Sequence, residues 1–163
     1  MSAYDDLRHV RGTRVYAQDA IYHLRTTTID QMQFLADNTC KQIVLTAVRN
    51  AASLLGVDVL AYVIMPEHIH LIVRPSADKD ISQFVASLKK RSAREINRHI
   101  GRRGAVWRKE FFDHMLRSQE HLEGLVRYIH DNPVRRGLAA SAEDWEFSSW
   151  REIYGARFPN RAR

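Results

Sequence analysis

Residues 57–74 read VDVLAYVIMPEHIHLIVR. Two short runs, Val57–Met65 and His68–Arg74, flank the dipeptide Pro66-Glu67, and their apolar, β-branched content predicts an antiparallel hairpin. Along the second run, strand alternation sends Ile69, Leu71 and Val73 into the core. His68 and His70 then project together from the opposite face, about 6–7 Å apart at the rise of a strand.

Working outward, residues 20–27 (AIYHLRTT) have the composition of a strand. Cys40, Ile43, Val44, Ala47, Val48, Ala51, Leu54 and Leu55 recur at helical spacing, with Asn38 as the expected N-cap and Gly56 at the C-terminal turn. Beyond the hairpin, Asp80 with Gln83 opens a second helix, whose buried side is marked by Ile81, Phe84, Val85, Leu88, Ile96 and Ile100. The Gly101 to Gly104 stretch breaks it, and residues 106–116 (VWRKEFFDHML) are expected to hold a fourth strand. A third helix is expected from Ser118, with Leu122, Leu125, Val126 and Ile129 inward, stopping near Asn132-Pro133.

The order strand, helix, strand, strand, helix, strand, helix predicts an α+β fold of ferredoxin-like type. Its four-stranded antiparallel sheet would have helices packed on one face and the other face free for ligands. The aromatic tail Trp145–Tyr154 is expected to pack back as a short helix. No repeat, low-complexity tract or Pro/Gly-rich linker divides the chain. It is read as a single domain over residues 1–163, with a core at about 16–138 and a tail at 139–163.

The 163 residues are 45% apolar and 27% charged, enough apolar content to exclude disorder as the overall state. No apolar run approaches the ~20 residues of a membrane span, and MSAYDDLRHV lacks the apolar core of a signal peptide. A lone Cys40 excludes an internal disulfide and a Cys-rich zinc cage, so a cytoplasmic location without membrane contact is expected. The formal charge is +6. Residues 89–117 alone hold ten basic residues against three acids, while the rest carries 15 against 16. Concentrated in this way, beside Trp107, Phe111 and Phe112, the excess reads as a polyanion-binding surface. A solvated helix face is the plainer alternative.

Tyr128 and Asn132 lie four residues apart, on one side of the third helix. A phenol can attack phosphorus if a nearby cation favours the phenolate. His68, His70 and the amide oxygen of Asn132 could hold such a divalent cation, with positions left open for a phosphate. The oxygen-rich shell suits Mg²⁺ or Mn²⁺, although imidazoles also accept zinc. Against this, Tyr128 can be a boundary aromatic, Asn132 a helix-ending residue and His-x-His a polar strand face. His121, His114 and Asp113 are further candidates, and His23 with Arg25 could touch phosphate from the first strand.

The segment Ala61–Val73 resembles the metal-binding segment of the HUH single-tyrosine transposases. Tyr128–Leu138 (YIHDNPVRRGL) resembles the nucleophile helix of one branch, the REP-associated tyrosine transposases, as do Val106–His114 and Asp144–Ser149. The likeness runs over roughly residues 16–154. It implies an HUH nuclease that cuts and rejoins single-stranded or hairpin DNA at REP-like elements. Tyr128 would form a 5′-phosphotyrosine, with His68, His70 and Asn132 as metal ligands. Wider insertion-sequence relatives often carry glutamine in place of the asparagine and work as dimers that exchange the tyrosine helix, so the protein is expected as a monomer or homodimer. The absence of a Gly-x-x-x-x-Gly-Lys loop fits strand exchange without ATP.

Lys89, Lys90, Arg91, Arg94, Arg102, Arg103 and Arg108, with Arg135 and Arg136 after the tyrosine helix, are the expected DNA contacts. Two other readings remain. One is a non-catalytic nucleic-acid-binding module that stacks bases on Tyr22 or Tyr62. The other is a zinc hydrolase on His68 and His70 with water as nucleophile.

Overall fold

The computed structural model describes residues 20–76, 80–117 and 119–155. The expected helix start at Ser118, the ends of the domain and residues 16–19 of the core lie outside them. Strand β1 (Tyr22–Thr27) leads through two short 3₁₀ turns to helix α1 (Asn38–Leu55). The hairpin follows as β2 (Val57–Ile64) and β3 (His68–Pro75), then α2 (Ile81–Ile100), β4 (Phe112–Met115) and α3 (Gln119–His130). Two short helices complete the described chain, α4 (Asn132–Arg135) and α5 (Trp150–Tyr154). The strands form one antiparallel sheet in the order β2-β3-β1-β4. The α+β class and the four-stranded antiparallel sheet are those expected from the sequence.

The caps explain where the two long helices begin. Asp37, in extended backbone, caps α1 by accepting from the amides of Thr39 and Cys40; Asn38, the expected cap, is already helical. Asp80 caps α2 through the amide of Ser82. Gly56 (φ 61°) and Gly101 (φ 66°) end these helices in the left-handed region that glycine enters without steric cost.

The two faces of the sheet are covered differently. On one, Tyr22, Leu24, Ile64, Ile69, Leu71 and Val73 pack under α1 and α2 with Val44, Val48, Phe84 and Leu88. On the other, Ala61, Val63, Met65 and Ile72 pack against Leu125, Val126 and Ile129 of α3. That face is therefore not free, as expected, but half covered. Its β2 side, with Ile72 of β3, is apolar and takes the helix; His68 and His70 of β3 and His23 and Arg25 of β1 are polar. A bulge between Val59 and Ala61 resets the alternation of β2, turning Tyr62 toward the helices and Ala61 and Val63 toward α3.

Three boundaries differ from expectation. The fourth strand is only Phe112–Met115. Residues before it are held irregularly, by a bridge from Trp107 to Thr28 and by the Trp107 indole donating to Ser92 Oγ (2.9 Å) inside α2. The chain does not stop at Asn132-Pro133 but resumes for one turn as α4, where Pro133 occupies a first-turn position whose missing N–H costs nothing. Of the aromatic stretch Trp145–Tyr154, only α5 is helical. Before that, the amide of Ile64 donates to Phe147 O, Ser148 bridges Val63, and the Trp145 indole donates to Ile64 O, which covers the exposed edge of β2.

Candidate metal and nucleophile site

The register puts His70 opposite Arg25 and His68 opposite Thr27, with His23 two residues from Arg25 along β1 on the same face. The rings of His68 and His70 stand 4.8 Å apart, perpendicular to one another. Asn132, buried at the first turn of α4, brings its amide Nδ2 to 3.1 Å from His70 Nε2. The Tyr128 ring, half-buried on α3, meets the His70 ring edge-on at 6.4 Å between centroids. Two histidines, the asparagine and the tyrosine, distant in sequence, thus converge on one spot at the border between the α3-covered and polar halves of the face.

The surroundings of the two histidines are as specific. His68 donates its Nδ1 proton to Glu67 Oε1 (2.9 Å), and the same oxygen accepts from Arg136. Hydrogen bonding from His68, reinforced by Arg136, pulls the Glu67 carboxyl down to about 2 against the opposing effect of burial. The second carboxylate oxygen, Oε2, is buried without a partner. His70 is 3% exposed, and burial, with His68 next, holds its pKa well below the ordinary value. Its Nδ1 lies 2.9 Å from Nε2 of His23, itself 4% exposed and lowered by burial to about 4. Each Nδ1 is thus engaged with a neighbouring side chain. Two imidazoles and an amide oxygen suit Mn²⁺ or another divalent ion that accepts nitrogen and oxygen, but here Asn132 turns its amide nitrogen, not the expected oxygen, to His70 Nε2, so the amide must turn over to ligate.

The basic residues divide by side. Helix α2 lies on the far face, so Lys90, Arg91 and Arg94 point away from the histidines and line an open depression of about 780 Å³ with Gln83, Ala86 and Ser87. Arg94 also pairs with Glu95 (3.1 Å). Lys89 turns inward and donates to the carbonyls of Arg108, Lys109 and Glu110 at 2.8, 3.2 and 3.1 Å. The Arg102 guanidinium lies over Phe34 at 4.8 Å and donates to Ala105 O. Arg103 and Arg108 are exposed, and the Arg108 amide donates to Thr27 O, on the strand beside His68. Arg135 lies 4.2 Å over the Tyr128 ring and donates to Tyr128 O, whereas Arg136 is taken up by Glu67.

Other candidates fall elsewhere. His23 does not reach the surface to touch phosphate, but Arg25 is half-buried on the site face, 5.8 Å over the Phe112 ring. His114 sits opposite His23 on β4, Asp113 alternates to the other face, and His121 is exposed on α3. Tyr22 and Tyr62, 4% and 6% exposed, are core residues and offer no ring for base stacking; the Tyr62 hydroxyl donates to Glu152 (2.7 Å). Reading the sequence missed Glu67 and the partnership of His23. The signal for Glu67 was an acid in the tight turn directly before His-x-His. It also missed a second trio of ligating types in the helix layer, Asp37, Cys40 and His99, whose ligand atoms lie within 4.8 Å of one another.

This fold and site define a class: a small antiparallel α+β protein that brings paired histidines and a helix-borne tyrosine together. The family model for IS200-like transposases matches residues 16–132, and the chain belongs to that family. Its likeness within the family is to REP-associated tyrosine transposases. It is 30% identical to the one of Escherichia coli K12, over 63% of this chain and 60% of that one. A homologue in Haemophilus influenzae is 29% identical over 63% and 64% of the two chains. The chain thus matches just under two thirds of the length of these curated relatives. A solved REP-associated tyrosine transposase bound to a REP hairpin superposes with a TM-score of 0.76 at 25% identity, covering 91% of this chain and 87% of that one. A transposase-like structure from Deinococcus radiodurans shares the fold (TM-score 0.53, 23% identity, 75% and 97% covered). Among the described residues no helix is long and apolar enough to cross a membrane.

Proposed function

We propose that the protein is a single-stranded DNA nuclease and strand transferase with Tyr128 as its nucleophile, acting on hairpin DNA of the REP kind. The observation that carries this reading is the meeting of the Tyr128 and His70 rings at 6.4 Å, with His68 and Asn132 grouped on the same spot. His68, His70 and Asn132 would hold a divalent ion, Mg²⁺ or Mn²⁺. Such an ion, when bound, polarises the phosphoryl oxygens and fixes the scissile phosphate.

The chain's own residues do the rest. The Tyr128 phenolate oxygen attacks the phosphorus, a P–O bond to tyrosine forms, and the P–O3′ bond breaks. The departing 3′ oxygen takes up, through solvent, the proton that the Tyr128 hydroxyl gave up, leaving a free hydroxyl, and the 5′ phosphate stays on the enzyme. Reversal by a 3′ hydroxyl restores both the diester and the phenol, so energy is conserved across the cycle without a nucleotide triphosphate. Arg135, with its guanidinium over the Tyr128 ring, places a positive charge beside the nucleophile, where it can meet the phosphate. Arg25 and Arg108 supply phosphate contacts on the site side, and Lys90, Arg91, Arg94 and Arg103 do so on the more distant surface. Lys89, Arg102 and Arg136 support that surface and the site through their contacts within the protein.

Incubation with a single-stranded hairpin substrate and Mn²⁺ is expected to give a denaturation-resistant protein–DNA adduct, lost on chelation and in Tyr128→Phe. An adduct formed by Tyr128→Phe at wild-type yield would remove the nucleophile assignment.

A further inference from the structure

We infer that His23 is the positioning residue of this site: it accepts the Nδ1 proton of His70 and thereby fixes the tautomer that leaves His70 Nε2 as an acceptor toward Asn132. The inference deepens the metal-and-tyrosine reading and rests on it for its purpose, though not for its geometry.

The His23 and His70 ring centroids are 5.1 Å apart with planes 26° from parallel, and His23 Nε2 lies 2.9 Å from His70 Nδ1, so the rings meet edge to edge. Both rings are buried, at 4% and 3% exposure, so neither nitrogen of this contact has water as an alternative partner. One proton must lie between them, and two directions are possible. Either His23 donates and His70 carries its own proton on Nε2, or His70 donates and its Nε2 is bare.

The second neighbour of His70 decides the direction. Its Nε2 is 3.1 Å from the amide nitrogen of Asn132, a group that can only donate. A protonated Nε2 would set two N–H groups against each other, so Nε2 accepts from Asn132 and the His70 proton resides on Nδ1. His23 Nε2 then accepts. Both rings are enclosed by the protein, so the nitrogen on which each proton sits is the relevant variable. In water a neutral histidine holds its proton mainly on Nε2, so His70 is held in the form it would otherwise disfavour.

The same result is reached at His68 by different means. There Glu67 takes the Nδ1 proton, again leaving Nε2 as the outward nitrogen. Partners of this kind set ring orientation and ligand basicity in metal sites. One histidine is thus presented by a carboxylate and the other by a neutral imidazole. β1 supplies the imidazole because His23 lies two residues along from Arg25, which is opposite His70, a diagonal neighbour on the same face within side-chain reach.

Long-range proton–nitrogen correlation spectra of the metal-free protein test the direction, and Mn²⁺ titration calorimetry tests its purpose. In the wild type, His70 is expected to carry its proton on Nδ1, with a bare Nε2. His23→Gln keeps an acceptor oxygen near the position of Nε2, and should preserve that tautomer and hold Mn²⁺ affinity within a few-fold. His23→Leu removes the acceptor of the Nδ1 proton, so the proton should move to Nε2 as the Asn132 amide turns its oxygen toward it, and Mn²⁺ affinity should fall by about 10–100-fold. A wild-type His70 protonated on Nε2 overturns the inference, as does a His23→Leu protein that binds Mn²⁺ like the wild type, or equal losses in both variants. Absence of Mn²⁺ binding by the wild type, with His70 in the expected tautomer, would instead remove the metal reading and leave the positioning contact standing.

Discussion

The two faces of the sheet bury their residues by opposite rules. Under α1 and α2 the buried side chains are almost wholly apolar, and their positions are set by shape. On the α3 side an apolar half borders a buried polar group of His23, His70, Asn132 and Glu67, whose positions are set by hydrogen bonds. An apolar face tolerates repacking if volume is kept. A buried polar network does not, because each lost partner leaves a desolvated group unpaired. Stability and site geometry are therefore expected to respond to different substitutions.

The largest separation should come from the apolar face. Phe84 is fully buried in α2 against the sheet, so Phe84→Ala should cost about 3–5 kcal/mol in denaturant unfolding. Mn²⁺ affinity of the folded fraction should not change, since Phe84 packs on the face of the sheet opposite His68 and His70. A parallel loss of affinity would mean that the two faces are coupled and that the contrast between them is mistaken.

The next test lies in two adjacent arginines. Arg136 pairs with Glu67, whose carboxylate is only 10% exposed, so Arg136→Ala leaves a nearly buried charge held by His68 alone. The pair is part solvated on the arginine side, and a loss of about 1–2 kcal/mol is expected, between the values for surface and buried pairs. Arg135 is exposed and stacks on Tyr128 from outside. Arg135→Ala should cost under about 1 kcal/mol in unfolding and act mainly on the rate of adduct formation. Equal stability losses would show that the Glu67 contact contributes no more than a surface charge.

The sequence made the sheet legible through period: alternation in Ile69–Val73 and helical spacing in Phe84, Val85 and Leu88 both name their inward faces. The strand pair that carries His68 and His70 followed from the same alternation. What escaped depended on partners. Asp37 and Asn38 are both good caps, and only the extended backbone of Asp37 separates them. A one-residue bulge in β2 decides which side Tyr62 takes, and no periodicity announces it. Charge counting placed Lys89, Arg102 and Arg136 on the DNA surface with their neighbours. What a charge count could not show is that each also has a nearby carbonyl, ring or carboxylate, brought to it by a loop distant in sequence or by a turn of the chain.

That last distinction gives the smallest and most local prediction, at Lys89 and Lys90. The two are neighbours in sequence with the same charge, but Lys89 Nζ serves three backbone carbonyls of residues 108–110 and Lys90 is exposed over the depression on α2. Lys89→Gln cannot span the same three acceptors and should cost about 1 kcal/mol of stability. Its effect on the salt dependence of binding to a single-stranded hairpin should be slight, because its charge is spent within the protein. Lys90→Gln should leave stability within about 0.5 kcal/mol of the wild type. It should also reduce the slope of log affinity against log salt by about 0.7–0.9 if it neutralises one phosphate. Chemical unfolding and a salt titration of binding, run on both variants, separate structural from DNA-facing charge along α2. A slope change in Lys89→Gln with none in Lys90→Gln would reverse the assignment.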